Sequence, residues 1–458
     1  MVRLFNVYYP ARTLVLILGE MTIVCASFVV AAMIRLGPDV VLVLGYENGI
    51  YKVLAIAGIA LMCFYCFDLY DAERVPAGGE TFFRLLVVLG ILAFLLAALG
   101  FVFPDFLLGN DIFLLGLFIL TLSLMAWRWA FLWLISRPFL RERVYVMGSG
   151  ERAQRLVQSL RARPDLGLEV VGWAGAVGNG SLTREQLASQ LVALREKDAV
   201  DHIIVAMSDG RGKMPVRELL DLRLSGVKVD DATGLLEKIS GKIEIHELHP
   251  SWFIFSNGFR LNNSLLFARR VVSFFLALTG LLICLPAIPF IALAIKVSSP
   301  GRVLYRQKRV GLRGIVFNCY TFRTMKANAE ADTGATWATD DDPRITHVGK
   351  FLRKVRLDEI PQMWNVLKGE MGFIGPRPER PEFVSQLIEQ IPYYNLRHIV
   401  RPGITGWAQI RYKYGNTIED ARQKLQYDLF YIKNLSIGLD FWVLVQTLKV
   451  IILGRGAQ

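Results

Sequence analysis

Four long apolar stretches in the first 135 residues constrain this chain more than any other feature. They run from about Thr13 to Ile34, Ile50 to Phe67, Phe82 to Phe103 and Ile112 to Ile135. Each is near the length of about 20 residues that an α-helix needs to cross a bilayer. The sequence therefore predicts a membrane protein with four transmembrane helices over residues 1–140. The first helix begins too late, and too many similar segments follow it, for a removable signal peptide.

Basic residues at the ends of these stretches predict their orientation. Arg137, Arg141 and Arg143 follow the fourth stretch, whereas the loop 104–111 before it contains no lysine or arginine. Cytoplasmic loops of membrane proteins carry the excess of positive charge. We therefore expect loop 104–111 to face outward and the chain after residue 136 to face the cytoplasm.

From residue 141 to 265 the pattern changes to that of a soluble α/β domain. A strand, a glycine turn and a helix are predicted first, and later apolar runs are spaced like buried parallel strands separated by helices. Gly148, Gly150 and Ala153 fit the G-x-G-x-x-A pattern of a phosphate-binding turn. The second predicted strand ends without the acidic residue that binds a ribose hydroxyl. A Rossmann-like domain is predicted, and both a nucleotide-binding and a purely structural or regulatory role stay open.

A fifth apolar stretch, Val271 to Val297, contains Pro286 and Pro289 and is flanked by basic residues at both ends. Proline removes a backbone donor and clashes with the preceding turn, so the helix should bend or break there. Basic residues at both ends favour two cytoplasmic ends. We predict a re-entrant membrane helix over residues 266–298, broken near Pro286. The alternative is a kinked spanning helix, which would put the rest of the chain outside the cell.

Residues 299–458 form a polar, strongly basic domain in a chain of net charge +12. The part from 302 to 326 interleaves arginines and lysines with aromatic residues. Such a surface could hold nucleic acid, but beside a membrane it is better suited to diphosphates or anionic headgroups. We expect phosphorylated substrates and inner-membrane lipids as partners, and no nucleic acid. For any single basic residue, a solvated surface position is the alternative.

Asp358 and Glu359 stand next to each other inside this basic region. A basic amphipathic helix over about 345–355 precedes them, and Pro361 begins a short helix that Gly369 ends. The two carboxylates therefore lie at a junction, where they can face different ways. One can attack phosphorus while the other holds Mg²⁺ on a diphosphate. The alternative is an acidic pair at a helix start that neighbouring arginines neutralise.

Other side chains of this domain are suited to binding phosphate groups. Arginine pairs with phosphate oxygens in a forked geometry and offsets the repulsion between two anions. The predicted substrate-binding residues are Arg377, Arg344, Arg323, Lys308, Lys326, Asp342 and Arg380.

A histidine pair, a tryptophan and a last apolar stretch are not assigned to the predicted site. His246 and His249 are three residues apart, but the sequence offers no further convincing ligand, so we do not expect a metal site there. Trp407 fills a core or stacks on a base or sugar, and the core is favoured. The apolar stretch Ile437 to Leu453 contains charged residues, and we interpret it as an interfacial or docking helix.

From about residue 266 to the C-terminus the sequence resembles the bacterial polyprenyl-phosphate sugar-1-phosphate transferases. These are the monotopic phosphoglycosyl transferases of exopolysaccharide and O-antigen assembly. The four-helix N-terminus and Rossmann-like middle are similar to the long form of the family, in its exopolysaccharide branch. The resemblance is carried by SPGRVLYRQKRVG, CYTFRTMK, DDPRITHVGKFLRKVRLDEIPQMWNVLKGEMGFIGPRPERPEF, RPGITGWAQIRY and LQYDLFYIKNLSIGLD, all in family order.

The resemblance implies that Asp358 is a nucleophile that attacks the β-phosphorus of a UDP-hexose, with glucose and galactose the expected hexoses. UMP would leave, and undecaprenyl phosphate would then accept the sugar phosphate. Glu359 matches the Mg²⁺-associated carboxylate of the family, and Pro286 matches its helix-breaking proline. Leu285 departs from the family pattern, which often has serine there.

The family also implies a location and an assembly. Its catalytic domain is expected on the cytoplasmic face of the bacterial inner membrane, and long-form relatives suggest a homodimer. Together these expectations describe a four-helix transmembrane N-terminus, a Rossmann-like α/β middle domain and a mostly α-helical C-terminal catalytic domain on a re-entrant membrane helix.

Two other functions stay open at this point. One is a membrane glycosyltransferase that moves only the sugar and releases UDP, for which an acidic metal motif in a nucleotide-binding fold is expected; the nearest candidate, TDDDP at 339–343, precedes a basic helix instead of a strand. The other is a non-catalytic organiser of a polysaccharide assembly machine that senses a nucleotide. The organiser would leave the basic site without a purpose, so the phosphosugar transferase is favoured.

Overall fold

The structure is a computed structural model, and the chain in it divides into two compact units. The first contains residues 1–2 and 9–235, and the second contains residues 3–8 and 236–458. The described residues are 1–46, 48–71, 79–106, 109–148, 150–174, 183–196, 199–207, 214–245, 252–253, 256–326, 342–412, 415 and 417–453.

Long apolar helices form the N-terminal part of the first unit. They are α1 (Ala11–Leu36), α2 (Val40–Tyr46), α3 (Gly49–Cys66), α4 (Gly79–Val102) and α5 (Asn110–Ile135). Within the described residues, α1 with α2, α3, α4 and α5 give four segments long and apolar enough to cross a membrane. Large side chains on their outer surface are exposed, as a lipid-facing surface requires. These helices fit the predicted membrane protein.

A buried ion pair joins two of these helices. Arg128 in α5 donates from Nε to Glu20 in α1 at 2.7 Å, and the hydroxyl of Tyr70 donates to the other Glu20 oxygen at 2.7 Å. The Arg128 and Glu20 side chains are 5% and 0% exposed. A charge inside a bilayer is costly unless it is paired. The pair therefore favours one register between α1 and α5.

A four-stranded parallel sheet follows the membrane helices. Its strands are β3 (Glu142–Met147), β4 (Leu168–Trp173), β5 (His202–Val205) and β6 (Lys228–Asp231), in the order β4-β3-β5-β6. All three neighbouring pairs are parallel. The connecting helices are α6 (Glu151–Arg161), α7 (Arg184–Glu196) and α8 (Val216–Leu224), and α9 (Ala232–Ser240) follows the last strand.

The predicted glycine turn lies between β3 and α6. Gly148 has a φ of 156°, and a Cβ atom there would lie 2.5 Å from the carbonyl oxygen of Ala206, so only glycine fits. Arg152, in the first turn of α6, lies 3.7 Å from Asp231 at the end of β6. Trp173 ends β4, so the structure places no carboxylate at the last position of that strand.

The second unit begins with residues 3–8, which include most of the short strands β1 (Val2–Leu4) and β2 (Val7–Tyr9), and it contains a long helical segment. This segment consists of α10 (Asn263–Cys284), a 3₁₀ turn (Leu285–Ala287) and α11 (Ile288–Ser298). The 3₁₀ turn includes Pro286, where the sequence predicted the break. From Asn263 to Ser298 the segment is long and apolar enough to cross a membrane.

The rest of the second unit is mostly helical, as predicted. Its helices are α12 (His347–Lys354), α13 (Gln362–Lys368), α14 (Pro381–Gln390), α15 (Trp407–Arg411), α16 (Ile418–Lys433) and α17 (Ile437–Ile452). Two pairs of strands interrupt them. They are the antiparallel β7 (Leu304–Val310) and β8 (Val316–Phe322), and the parallel β9 (Gly372–Ile374) and β10 (Gly403–Thr405).

The segment after residue 235 packs against the core of this unit. Trp407 is 1% exposed, stacks on Phe430 and donates from Nε1 to the carbonyl oxygen of Gly241 at 2.7 Å. Lys433 forms an ion pair of 2.6 Å with Glu237. The core interpretation of Trp407 is therefore confirmed, and these contacts join the segment after residue 235 to the rest of the second unit.

Candidate active site

The acidic pair lies at a sharp junction between α12 and α13. Arg356 has the left-handed φ of 55°, which is uncommon for a residue with a side chain, and a 3₁₀ turn (Leu357–Glu359) follows it. Helix α13 begins at Gln362, directly after Pro361, and ends before Gly369, whose φ is 91°. Both predicted helix signals, the proline start and the glycine end, are confirmed.

Glu359 is held by arginines from two segments. Its side chain is 9% exposed and accepts a hydrogen bond of 2.9 Å from Arg377. Arg356 lies 3.6 Å from the same carboxylate oxygen. A charge-assisted hydrogen bond of this length fixes both side chains. The structure thus brings together Glu359 and Arg377, two residues that the sequence assigned to one site.

Asp358 has an unusual environment for a carboxylate. Burial, and next the negative charge of Glu359, raise the pKa of Asp358 to about 6, against the opposing charges of Arg353 and Arg377. Strongly perturbed titratable groups beside a specific charged partner are concentrated at functional sites. The carboxylate is still mostly ionised at neutral pH and is poorly hydrated, which suits a nucleophile.

Apolar neighbours of the acidic pair explain its burial. Leu357 and Ile360, which flank the pair in sequence, belong to a hydrophobic cluster with Cys284, Ile288 and Ile291. These three residues lie on both sides of the 3₁₀ turn in the apolar helical segment. Leu352 of α12 is buried in the same cluster, so the apolar face of that amphipathic helix packs largely on protein, while Phe351 is 60% exposed. The apolar segment therefore supports the acidic pair directly.

Arg377 lies on a tightly packed loop after β9. The amide of Gly375 donates to the carbonyl oxygen of Thr405 at 2.9 Å, and the amide of Gly403 donates to that of Pro376 at 3.0 Å. A Cβ atom on Gly375 would lie 2.4 Å from the carbonyl oxygen of Arg401. The loop backbone consequently has little freedom near Arg377.

Arg344 and Asp342 pair with each other. The guanidinium of Arg344 donates to both carboxylate oxygens of Asp342, and the closest distance is 2.6 Å. Hydrogen bonds from Arg344 lower the pKa of Asp342, and the nearby charge of Arg353 acts in the same direction. Arg353 also donates to the hydroxyl of Thr324 at 2.9 Å. The charge of Arg353 lowers the pKa of both Asp342 and Asp358. Arg353 is therefore near the ion pair of Arg344 with Asp342 and also near the acidic pair.

Arg323 contacts the end of the apolar segment. Its guanidinium donates to the carbonyl oxygens of Pro300 at 2.9 Å and Ser299 at 2.6 Å. These bonds give Arg323 a role in holding the turn after α11, in addition to the predicted one.

Two of the remaining predicted ligands lie on the surface of the same unit, and the third, Arg380, is half-buried there. Lys308 is exposed on β7. Lys326 is also exposed, and its backbone amide donates to the carbonyl oxygen of Arg344. Arg380 lies 3.6 Å from Glu382, at the start of α14. The predicted pair of His246 and His249 lies outside the described residues, as do residues 339–341 of the acidic stretch before Pro343.

Sequence reasoning missed the buried charges behind the site. Arg397 forms an ion pair of 2.9 Å with Asp428, and the two side chains are 6% and 2% exposed. Asp428 stands in the mostly apolar run from Leu425 to Ile432 of α16. A carboxylate in a buried helical run requires a partner, and this signal could have identified the pair.

Comparisons with known proteins find relatives for both parts of the chain. Residues 264–454 match the model of the family described as bacterial sugar transferase. The chain is similar to the UDP-N-acetylgalactosamine-undecaprenyl-phosphate N-acetylgalactosaminephosphotransferase of Aeromonas hydrophila, with 40% identity over 53% of this chain and 56% of that protein.

Two further relatives are named UDP-glucose:undecaprenyl-phosphate glucose-1-phosphate transferase. The Escherichia coli K12 protein is 36% identical over 69% of this chain and 68% of its own length. The Xanthomonas campestris pv. campestris protein is 30% identical over 99% of this chain and 96% of its own length. The last match covers the N-terminal helices and the α/β sheet as well as the C-terminal unit.

Proposed function

This chain belongs to the bacterial sugar transferase family, and from that premise we propose that it transfers a hexose-1-phosphate from a UDP-hexose to undecaprenyl phosphate. UMP is released, and the reaction begins the synthesis of an exopolysaccharide or O-antigen. The general reaction is that of the named relatives. The single observation that carries the finer mechanism is the half-buried Asp358, with its raised pKa, beside the Glu359 and Arg377 pair.

Two displacements at the β-phosphorus account for the proposed reaction. The Asp358 carboxylate forms a bond to the β-phosphorus, and the bond to the bridging oxygen breaks, so that UMP leaves with that oxygen. A phosphate oxygen of undecaprenyl phosphate then attacks the same phosphorus, and the bond to Asp358 breaks. The carboxylate is regenerated, and the sugar is linked to the lipid through a diphosphate. A covalent intermediate of this kind divides one difficult step into two easier ones.

The charges of the site suit these displacements. A carboxylate that attacks a diphosphate meets strong repulsion, which arginine reduces by pairing with phosphate oxygens. Arg377 and Arg353 both act electrostatically on Asp358. We assign the nucleotide diphosphate to this side of the junction, with Arg344, Arg323, Lys308, Lys326, Asp342 and Arg380 as further candidates around it.

The donor set fits Mg²⁺ held together with the substrate. Among the described residues, no group of three or more acidic, histidine or cysteine side chains converges. Mg²⁺ commonly takes only one or two carboxylates and completes its shell with water and substrate phosphates. Glu359, already paired with Arg377 at 2.9 Å, is the residue that would hold it. When bound, the ion would neutralise charge that develops on the leaving phosphate.

The proposed placement puts this chemistry at the inner face of the bacterial inner membrane. We propose that the segment Asn263–Ser298 is re-entrant, since Pro286 lies in its 3₁₀ turn and basic residues, Arg269, Arg270 and Lys296, stand near both of its ends. Undecaprenyl phosphate presents its phosphate at the headgroup layer, and UDP-sugars are cytoplasmic. A broken helix that returns to the cytoplasmic face holds the acidic pair where both can arrive. A homodimer and a nucleotide role for the glycine turn of the Rossmann-like sheet remain proposals of the same kind.

Nucleotide release is the direct test. Purified protein, Mg²⁺ and undecaprenyl phosphate are combined with UDP-glucose, UDP-galactose and UDP-N-acetylgalactosamine in turn, and the Asp358→Asn protein is the control. UMP from the wild type alone is expected. A donor labelled at the β-phosphate should leave label on the wild-type protein when the lipid is omitted. UDP as the product would show that only the sugar moves, and no nucleotide from any donor would overturn the proposal.

A further inference from the structure

Two buried arginines hold the ends of the loop that carries Arg377. Arg397 donates from Nη2 to the carbonyl oxygen of Arg377 at 2.9 Å. Arg269 donates from Nη2 to the carbonyl oxygen of Ile374, the last residue of β9, at 3.1 Å. We propose that Arg397 and Arg269 are positioning residues, which fix this loop so that the Arg377 guanidinium meets Glu359 and the substrate phosphate. The inference rests on the proposed function of that site.

Arg397 is built to hold a fixed geometry. Its guanidinium donates to Asp428 at 2.9 Å, to the hydroxyl of Tyr394 at 2.5 Å and to the Arg377 carbonyl. The Arg397 and Asp428 side chains are almost completely buried. The planar fork of arginine imposes directions on all its partners, which a lysine ammonium does not. The carbonyl of Arg377 is thus tied to the core of the unit.

Arg269 provides a similar anchor from the first turns of α10. It donates from Nε to Asp440 of α17 at 2.6 Å, and the hydroxyl of Tyr431 donates to the other Asp440 oxygen at 2.6 Å. The Arg269 and Asp440 side chains are 11% and 10% exposed. Through its bond to Ile374, this network connects the apolar segment to the start of the loop.

Stability alone does not account for a buried pair of this kind. The desolvation of two charges often equals or exceeds their attraction, so well-packed apolar residues can replace such a pair without loss of stability. Within the described residues, Nε of Arg397 is also buried with no hydrogen-bond partner. What the pair provides, and apolar residues cannot, is a donor directed at the backbone of Arg377.

The test is a double-mutant cycle between Arg397→Lys and Arg377→Ala, with kcat/KM for the active UDP-hexose measured by UMP release. If Arg397 acts through Arg377, Arg397→Lys alone lowers kcat/KM by about 10- to 100-fold, the range expected for a displacement near 1 Å. In the Arg377→Ala protein, the same change lowers it by less than about twofold. Losses that multiply would overturn the inference, because they would show an effect independent of Arg377.

Lys433→Met is the matched control, since Lys433 also forms a buried ion pair, with Glu237, in the same unit. Its effect should be small and the same with and without Arg377. A second variant, Arg397→Met with Asp428→Leu, removes the charges but keeps the volume. It should fold and yet lose activity as Arg397→Lys does. Full activity in this folded double variant would overturn the inference.

Binding separates this inference from the proposed function. Affinity for the UDP-hexose is measured by calorimetry without acceptor, in the same four proteins of the cycle. If the wild type binds the donor but releases no UMP, the proposed function fails while the binding cycle still decides the role of Arg397. A wild type that neither binds nor turns over any UDP-hexose overturns both.

Discussion

Replacement of Asp358 by asparagine should abolish UMP release and, at the same time, stabilise the fold at neutral pH. Burial and the Glu359 charge raise the pKa of Asp358 from 3.8 to about 6. A carboxyl group with a higher pKa in the folded than in the unfolded state destabilises the fold once the pH exceeds both values. Since a tenfold change in proton affinity is worth about 1.4 kcal/mol, the cost at pH 8 is on the order of 3 kcal/mol. Asparagine does not carry this cost.

The sign of the effect gives the experiment its pH dependence. Below about pH 3 the carboxyl is mostly protonated in both states, so the cost is nearly absent there, and it grows as the pH rises through the interval between 3.8 and about 6. The free energy of unfolding of wild type and Asp358→Asn is therefore compared at pH 5 and pH 8 in the same detergent. The advantage of the variant at pH 5 should be about half of that at pH 8.

Asp342→Asn is the matched control for this measurement. Asp342 is also buried, but hydrogen bonds from Arg344 lower its pKa, so its ionised form stabilises the fold at neutral pH. Loss of this charge leaves Arg344 without its carboxylate and should destabilise the protein by about 1 to 3 kcal/mol. If both variants were destabilised equally at pH 8, the argument that Asp358 is held in an unfavourable environment would be refuted.

Four other measurements test the site. Arg377→Ala should lower kcat/KM for the UDP-hexose by at least about tenfold more than Arg353→Ala, because Arg377 pairs with Glu359 at 2.9 Å; equal losses would remove Arg377 from the site. The kcat/KM of the wild type should fall about tenfold per pH unit below pH 6, as Asp358 becomes protonated, and a flat profile down to pH 5 would contradict its role. Removal of divalent cations by EDTA should stop UMP release until Mg²⁺ is restored; unaffected turnover would exclude Glu359 as a metal ligand. A phosphatase that is active only outside the cytoplasm, fused after residue 298, should be inactive, because the apolar segment returns to the cytoplasm in the proposed arrangement. An active reporter would show that the segment spans the membrane.

Local signals in the sequence predicted the local structure well. Pro361 and Gly369 bound α13 as expected, and the glycine turn at Gly148 lies between a strand and a helix. The long apolar helices were also predicted, because length and apolar composition are properties of single segments. These features depend on backbone geometry within a few residues, which short patterns encode.

Features that depend on distant contacts were not predictable in this way. Trp407 and Lys433 bind Gly241 and Glu237, in a segment that lies more than 150 residues earlier in the chain, and no local pattern encodes these contacts. The charges Glu20 and Arg128 stand out inside apolar stretches, but only the packing of α1 on α5 shows that they meet.

One packing arrangement connects the membrane segment with the chemistry of the acidic pair. Leu357 and Ile360 hold the pair by packing against the apolar segment on both sides of its 3₁₀ turn. The burial that results is also the first cause of the raised pKa of Asp358. Cys284, Ile288 and Ile291 are four and three residues apart, so they lie on one face of the segment across its 3₁₀ turn and reach one cluster. The apolar segment thus supplies part of the surface that shields Asp358, the residue that we propose as the nucleophile, from water.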